Sequence, residues 1–336
     1  MLVWLCAAFA ACADAQHIDG AGGTFPAPVY AEWAAAARAA TGIDVSYSAV
    51  GSGEGQQRII ARKVDFGASD APMDAAALAS ANLLQFPTVM GAVVVIVNLP
   101  RVRYGELKLT GETLAGIYAG RIRKWNDPLL EALNPDITLP NVSISPVHRY
   151  EASGTSFTFT AYLSAASPAW QSTIGSGTMV KWPAGPGAIG NDGVATTVSI
   201  TRGAIGYVES SFATENHLNM ARLRNRSGIF VKPTAESFAA AAATANWNVP
   251  HFAANLVDTA GAANWPIMST TFILLPKDPQ DPARSAAVLR FFDWAYRNGN
   301  AAAKRLGYIA LPAAVQDRVR DEWRTLPPPD GKTTYR

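Results

Sequence analysis

Three short segments of the chain combine small residues with hydroxyl groups at the start of predicted helices. They are residues 20–26 (GAGGTFP), 51–55 (GSGEG) and 153–156 (SGTS). The first turn of a helix has free N–H groups and the positive end of the helix dipole, so it attracts anions, and glycine lets an anion approach the backbone. Ser and Thr add further donors. The pattern predicts an anion site, although each hydroxyl could instead cap its own helix.

Two charged residues are further candidates for this site. Arg149 follows a predicted strand, four residues before Ser153, and a planar guanidinium can bind two oxygens of an oxyanion. A surface salt bridge, with Glu151 as a candidate partner, is the alternative. Asp70 ends a strand-like segment two residues before Pro72, where a helix cap or an Asx-turn is the alternative to a binding role.

Strands that alternate with helices must position these candidates, and this order is typical of an α/β protein. Apolar runs predict strands at residues 45–50, 93–97, 144–147 and 270–275. The run at residues 93–97 is β-branched throughout, which is typical of a strand buried on both faces.

Helices are predicted to follow the hydroxyl segments. One helix follows the loop at residues 51–55 and continues to Val64, and another begins near Ser156. A third is predicted near the end of the chain, where Asp281 provides an N-cap and Gly299 provides the stop after the last turn.

Composition limits the classes of partner. The 336 residues are enough for about two domains, and 49% hydrophobic with 16% charged residues is typical of a globular protein. The formal net charge of +2 lacks the basic surplus of nucleic-acid-binding proteins. We therefore expect no nucleic-acid partner, and a bound anion must be held by local groups.

Residues 1–15 are predicted to be a signal peptide. Residues 2–11 are an apolar run too short to span a bilayer, and residues 13–15 (ADA) have the small-x-small pattern of a cleavage site. Lipid attachment at Cys12 is the less favoured alternative. Cys6 and Cys12 are the two cysteines of the chain, so cleavage would leave a mature protein without disulfides or cysteine ligands for zinc.

The hydroxyl segments and several others resemble the periplasmic phosphate-binding proteins that serve ABC-type phosphate uptake transporters. The matching segments are residues 22–30 (GGTFPAPVY), 64–72 (VDFGASDAP), 153–157 (SGTSF), 190–193 (GNDG), 203–209 (GAIGYVE) and 269–274 (STTFIL). The resemblance implies a two-lobed, type II periplasmic-binding-protein fold (a Venus-flytrap) with a hinge of crossing strands. It places residues 16–93 with 267–336 in lobe I and residues 94–266 in lobe II.

The resemblance also implies a ligand set and partners. The phosphate contacts carried over by position are Thr24, Phe25 through its N–H, Ser52, Asp70, Arg149, Ser153, Gly154 through its N–H, and Thr155. Glu151 supports Arg149 at a position where the family often has Asp. Glu54 and Ile189 are further departures from the family pattern. The implied protein is a periplasmic monomer that delivers inorganic phosphate, as HPO4²⁻ or H2PO4⁻, to an ABC permease with its ATPase subunit.

Asp70 is the candidate that could distinguish phosphate from sulfate. An ionised carboxylate only accepts hydrogen bonds, and HPO4²⁻ has an O–H to donate whereas sulfate at neutral pH has none. A sulfate oxygen would therefore leave Asp70 unpaired, which is how a site rejects an isostere.

Other functions stay open as alternatives. A phosphatase could use Ser52 or Ser153 as nucleophile and His148 as base. The four His lack metal-ligand spacing, and Val50 occupies the first glycine position of a GxSxG elbow around Ser52, so we expect no catalytic residue, no metal and no cofactor. A binding protein for sulfate or molybdate, and a signalling protein that binds phosphate without serving a transporter, are the remaining alternatives.

Overall fold

The computed structural model describes residues 16–326. The predicted signal peptide, with Cys12, lies outside these residues. The described strands are β1 Gln16–Gly22, β2 Ile43–Ala49, β3 Phe66–Ser69, β4 Leu83–Val97, β5 Lys108–Leu109, β6 Ser145–Pro146, β7 His148–Arg149, β8 Gly187–Ala188, β9 Ala204–Glu209, β10 Asn219–Met220, β11 Arg222–Arg224, β12 Phe230–Val231, β13 Met268–Pro276 and β14 Ile309–Ala310.

Helices separate most of these strands, as the α/β pattern predicts. They are α1 Ala27–Thr41, α2 Ser52–Ile60, α3 Ala75–Ser80, α4 Gly111–Tyr118, α5 Pro128–Leu133, α6 Gly154–Ala166, α7 Pro168–Thr173, α8 Gly190–Ile200, α9 Ser210–Glu215, α10 Ala235–Ala242, α11 Pro282–Asn298, α12 Asn300–Arg305 and α13 Ala313–Trp323, with a short 3₁₀ helix at Pro250–Phe252. Within residues 16–326, none of the helices is both long and apolar enough to cross a membrane.

One long strand, β4, joins the two halves of the main sheet. The strand order is β2-β1-β3-β13-β4-β9-β6, and β10 and β14 also pair with β4. The first part of β4 pairs with β13 as far as Ala92, and from Val93 onward it pairs with β9. All fifteen residues of β4 are buried, which confirms the prediction of a strand covered on both faces at residues 93–97.

Two helices begin earlier than predicted. Ser52 is already the first residue of α2, so residues 52–55 are helical rather than a loop, and Val64 lies beyond the helix end at Ile60. Helix α6 likewise begins at Gly154 instead of near Ser156. Glycine disfavours helix interiors because of its backbone entropy, but that cost is small enough for tertiary contacts to override it.

The end of α11 differs from the prediction in its backbone geometry. Asp281 is the N-cap, as predicted, and accepts hydrogen bonds from the next helical N–H groups. Gly299 has φ −80° instead of a left-handed conformation, and α12 follows immediately. A Cβ on Gly299 would lie 2.3 Å from Nε1 of Trp33, and that indole N–H donates to the Gly299 carbonyl at 3.0 Å. The glycine therefore permits close packing of α1.

Candidate functional site

The predicted site residues come from separate elements and meet at one buried place. Thr24 precedes α1, Ser52 begins α2 and Asp70 follows β3. From the other half of the chain, Arg149 ends β7 and residues 153–155 open α6. These side chains are all at least nine-tenths buried.

Close backbone approaches show that the two groups of residues face each other directly. A Cβ on Gly154 would lie 2.5 Å from Cβ of Asp70 and 2.6 Å from Oγ of Ser52. The Gly53 N–H donates to the Ala152 carbonyl at 3.0 Å, and a Cβ on Gly53 would lie 2.4 Å from Cβ of Ala152. Glycines at positions 53 and 154 are therefore needed to bring α2 and α6 together.

Asp70 is fixed by hydroxyl groups on both of its carboxylate oxygens. Oδ1 accepts from Thr271 Oγ1 at 2.6 Å, and Oδ2 accepts from Ser52 Oγ at 3.4 Å. The Asp70 N–H donates to the same Ser52 oxygen at 3.1 Å. Burial raises the pKa of Asp70 to about 6, although the two hydroxyls and the charge of Arg149 oppose that shift. At neutral pH the carboxylate is ionised and acts as an acceptor.

Arg149 is the buried cation of the site. Its Nε donates to Glu151 Oε1 at 2.9 Å, Nη2 contacts the same oxygen, and Nη1 donates to Thr155 Oγ1 at 3.3 Å. The Gly190 N–H also donates to Glu151 Oε1, at 3.0 Å. Arg149 and Glu151 thus form a salt bridge, as the alternative predicted, but Arg149 is buried and does not lie at the surface. This pairing also fixes the plane of the guanidinium next to Thr155.

The capping alternative applies to one hydroxyl segment and not to the others. Ser153 is the N-cap of α6 and accepts from the Ser156 N–H at 3.2 Å. The N-caps of α1 and α2 are Pro26 and Gly51, and neither makes a side-chain cap. The hydroxyls of Thr24 and Ser52 are therefore not used to cap their helices.

Asp70 also does not cap a helix, because Asp74 is the N-cap of α3. Glu54 lies on the outer side of α2, where it pairs with Arg58 at 2.7 Å. Ile189 is the N-cap residue of α8 and its side chain is exposed. Both departures from the family pattern therefore lie at the periphery of the site.

The structure adds residues that the sequence argument did not select. Asn191, completely buried at the start of α8, donates from Nδ2 to Thr24 Oγ1 at 2.7 Å. Thr271 holds Asp70, and the Tyr207 hydroxyl accepts from the Arg149 N–H at 3.2 Å. All three lie in segments whose resemblance to the family was noted, which was the one signal in the sequence that pointed to them.

Glu209 is a second buried carboxyl, behind the residues that face the site. It accepts from Ser210 Oγ at 2.8 Å and from the Ser211 N–H at 2.9 Å. Tyr308 Oη lies 3.0 Å from Glu209 and donates to the Phe25 carbonyl at 2.6 Å. Burial raises the pKa of Glu209 to about 7, against the effect of its hydroxyl partners.

His148, the candidate base of the enzyme alternative, is occupied by backbone and aromatic contacts. Its ring nitrogens lie 3.0 Å from the Arg149 carbonyl and 3.2 Å from the Gly185 carbonyl, and the ring stacks on Trp182. Among residues 16–326, no three His, Cys, Asp or Glu side chains are grouped as metal ligands would be.

The mixed sheet and the two facing groups of buried residues are typical of a two-lobed binding-protein fold. A family model of the PBP superfamily domain matches residues 9–298. The phosphate-binding protein PstS of Pasteurella multocida is 47% identical, over 100% of this chain and 98% of its own length. The phosphate-binding protein PstS of Haemophilus influenzae is 47% identical, over 93% of this chain and 94% of its own length.

A solved structure has the same fold. The crystal structure of a phosphate-binding protein from Stenotrophomonas maltophilia superimposes with a TM-score of 0.68 at 22% identity, over 93% of this chain and 95% of that one. The chain belongs to the PstS phosphate-binding protein family of the PBP superfamily. The family resemblance and the fold class predicted from the sequence are both confirmed.

Proposed function

We propose that this chain captures inorganic phosphate between its lobes and delivers it to an ABC-type permease with its ATPase subunit. The phosphate-binding names of relatives at 47% identity support this function. The observation that carries the proposal is the position of the Asp70 carboxyl group, buried among groups that otherwise donate hydrogen bonds.

The donors replace the water that a buried anion loses. Desolvating an anion is costly unless donors take the place of the solvent. The Thr24 hydroxyl and one buried guanidinium are available, together with N–H groups of the first turns, which have no partner within their helices. The Ser52 hydroxyl would turn its hydrogen from Asp70 to the anion. In this proposal the ligands are Thr24, Phe25, Ser52, Asp70, Arg149, Ser153, Gly154 and Thr155, with Glu151 positioning Arg149.

Asp70 selects a ligand that carries a proton. HPO4²⁻ donates its O–H to the carboxylate, while its other oxygens accept from the remaining groups. Sulfate has no proton at neutral pH, so its oxygen would face Asp70 without a hydrogen bond. The same argument separates phosphate from molybdate.

The lobes of this proposal are residues 16–93 with 267–336, and residues 94–266. The change of partner along β4, from β13 to β9 between Ala92 and Val93, supports the first boundary. The Gly53–Ala152 hydrogen bond would then cross the cleft, which supports a closed arrangement of the two lobes. The protein would act in the periplasm as a monomer, without catalysing a reaction.

A calorimetric comparison of phosphate and sulfate tests this function. The protein, freed of phosphate, should bind one phosphate per chain and give no heat with sulfate at neutral pH. The variant Asp70→Asn should accept sulfate, because its amide donates where the carboxylate could not. Absence of phosphate binding would overturn the function, and unchanged rejection of sulfate by Asp70→Asn would overturn the role of Asp70 alone.

A further inference from the structure

Asn191 is the side chain that connects hydroxyl groups from both sides of the site. It is completely buried at the start of α8, which lies in the predicted lobe II. Its Nδ2 donates to Thr24 Oγ1 at 2.7 Å and to Thr155 Oγ1 at 3.5 Å. Thr24 belongs to the predicted lobe I and Thr155 to lobe II, so the amide lies across the boundary between them.

The orientation of the Asn191 amide is fixed by the backbone. Its Oδ1 accepts from the Glu209 N–H at 3.0 Å, at the end of β9. Because the oxygen of the amide is engaged there, the NH₂ group must be the end that faces the two hydroxyls. Asn191 is therefore a donor toward the site and cannot exchange roles without losing a buried hydrogen bond.

The number of lone pairs on each hydroxyl then determines where its hydrogen can go. A Thr hydroxyl has two acceptor lone pairs and one hydrogen. Thr24 Oγ1 accepts from the Asn191 N–H at 3.3 Å and from Nδ2, so both lone pairs are engaged. Thr155 Oγ1 accepts from Arg149 Nη1 at 3.3 Å and from Asn191 Nδ2. Each hydroxyl keeps one hydrogen, which is available to an anion in the cleft.

We infer that Asn191 is a positioning residue that makes Thr24 and Thr155 obligate donors to the bound oxyanion. This inference rests on the proposed function of the site and deepens it. Asn191 acts through the hydroxyls and does not itself have to touch the ligand. Because its contact with Thr24 crosses the lobe boundary, the donor set is complete only when the lobes are closed.

A double-mutant cycle in phosphate affinity tests this role. Asn191→Ala should weaken phosphate binding by about 10-fold to 100-fold, the range expected for hydrogen bonds to a charged group. If Asn191 acts through the Thr24 hydroxyl, its loss should cost little once that hydroxyl is gone. In Thr24→Val, Asn191→Ala should therefore cost clearly less than it costs in the unmodified chain. In Thr24→Val with Thr155→Val, where both hydroxyls are gone, it should change phosphate affinity by less than about threefold, because coupled residues are non-additive.

Ser269→Ala is the matched control. It removes another side-chain hydrogen bond across the predicted boundary, between Ser269 and Thr158 at 2.9 Å, and leaves the site hydroxyls in place. This variant should keep phosphate affinity within about threefold of the unmodified chain. An equal loss in Ser269→Ala would show that Asn191 contributes only to closure and would overturn the inference.

Asn191→Asp keeps the cycle interpretable if the alanine variant folds poorly. Its carboxylate still accepts the Glu209 N–H, but it takes the hydrogen of Thr24 that the ligand would otherwise receive. Phosphate binding should fall further than in Asn191→Ala, and Thr24→Val should then add little. Fully additive losses in both backgrounds would overturn the inference while the function stands. An unmodified chain that binds no phosphate would overturn both.

Discussion

The two sides of the site differ in charge, although both are built from helix starts and hydroxyls. We call Thr24, Ser52 and Asp70 the carboxylate wall, and Arg149, Ser153 and Thr155 the guanidinium wall. The carboxylate wall alone would repel an anion, because Asp70 is ionised at neutral pH. The guanidinium wall alone would accept any oxyanion that fits. In the proposed function, selection of a protonated oxyanion requires both walls together.

The largest expected effect is the loss of the cation. Arg149→Ala leaves Glu151 and any bound anion without a counter-charge in a buried place, which costs about 3–5 kcal/mol, or roughly two to four orders of magnitude in Kd. Calorimetric titration with phosphate measures this loss. Arg58→Ala, on the outer side of α2 and paired with Glu54, is the control and should leave affinity unchanged. Similar losses of phosphate affinity in both variants would show that Arg149 contributes no more than a surface charge, and would contradict its place in the guanidinium wall.

Sequence patterns predicted the two walls better than the links between them. Thr24, Ser52 and Ser153 could be found because a hydroxyl beside glycine at a helix start is a local signal. Asn191 and Thr271 could not, because their contacts with Thr24 and Asp70 span 167 and 201 residues of sequence. The residues next to an isolated Asn or Thr in the sequence do not indicate a contact with a residue so far away.

The helix boundaries show the same limit. Glycine in residues 51–55 predicts a loop, yet Ser52 begins α2. The approach of Gly53 to Ala152 explains why glycine is present in that first turn, and only the tertiary structure reveals it. Local propensity is a weak guide where the tertiary contact determines the residue. Buried β4 was predictable because its continuous apolar run is itself the signal.

The second expected effect concerns the buried carboxyl behind the walls. Burial raises the pKa of Glu209 from 4.5 to about 7, so its ionised form is disfavoured in the folded state. Ionisation of Glu209 therefore lowers the free energy of unfolding. The loss is absent below the pKa that Glu209 has in the unfolded chain, grows as the pH rises, and is complete above about pH 7, where it reaches about 3 kcal/mol. Glu209→Gln removes this term.

Urea unfolding of the phosphate-free protein measures that change. The stability of Glu209→Gln relative to the unmodified chain should improve by about 3 kcal/mol between about pH 4 and pH 8. The exposed Glu215→Gln, in the same helix region, is the control and should show no such trend. A constant difference across this range would contradict the raised pKa.

Acidification should weaken the preference of the site for phosphate over sulfate, because it removes the charge of the carboxylate wall. Protonated Asp70 can donate to a sulfate oxygen, and the pKa of Asp70 is raised to about 6. Sulfate affinity should therefore rise about tenfold per pH unit as the pH falls toward about 6, and level off below it. Asp70→Asn should bind sulfate with no such dependence. A flat profile in the unmodified chain would show that Asp70 does not control rejection of sulfate.

The smallest expected effect is that of a charge outside both walls. Glu54 lies on α2 near the carboxylate wall, but it is paired with Arg58 and its side chain is 44% exposed. Solvent and salt screen such a charge, so Glu54→Gln should change phosphate Kd by less than about twofold at physiological ionic strength. A larger gain in phosphate affinity would show that the charge of Glu54 acts on the anion, and that Glu54 belongs to the carboxylate wall.

The central claim is that Asp70 receives the proton of the ligand, and proton counting tests it most directly. Phosphate binding is titrated by calorimetry at about pH 8 in two buffers with different ionisation enthalpies, which gives the protons exchanged per ligand. HPO4²⁻ that meets an ionised Asp70 brings its own proton, so the predicted exchange is close to zero. Uptake of about one proton that disappears in Asp70→Asn would mean that Asp70 must be protonated for phosphate to bind, and would contradict the account.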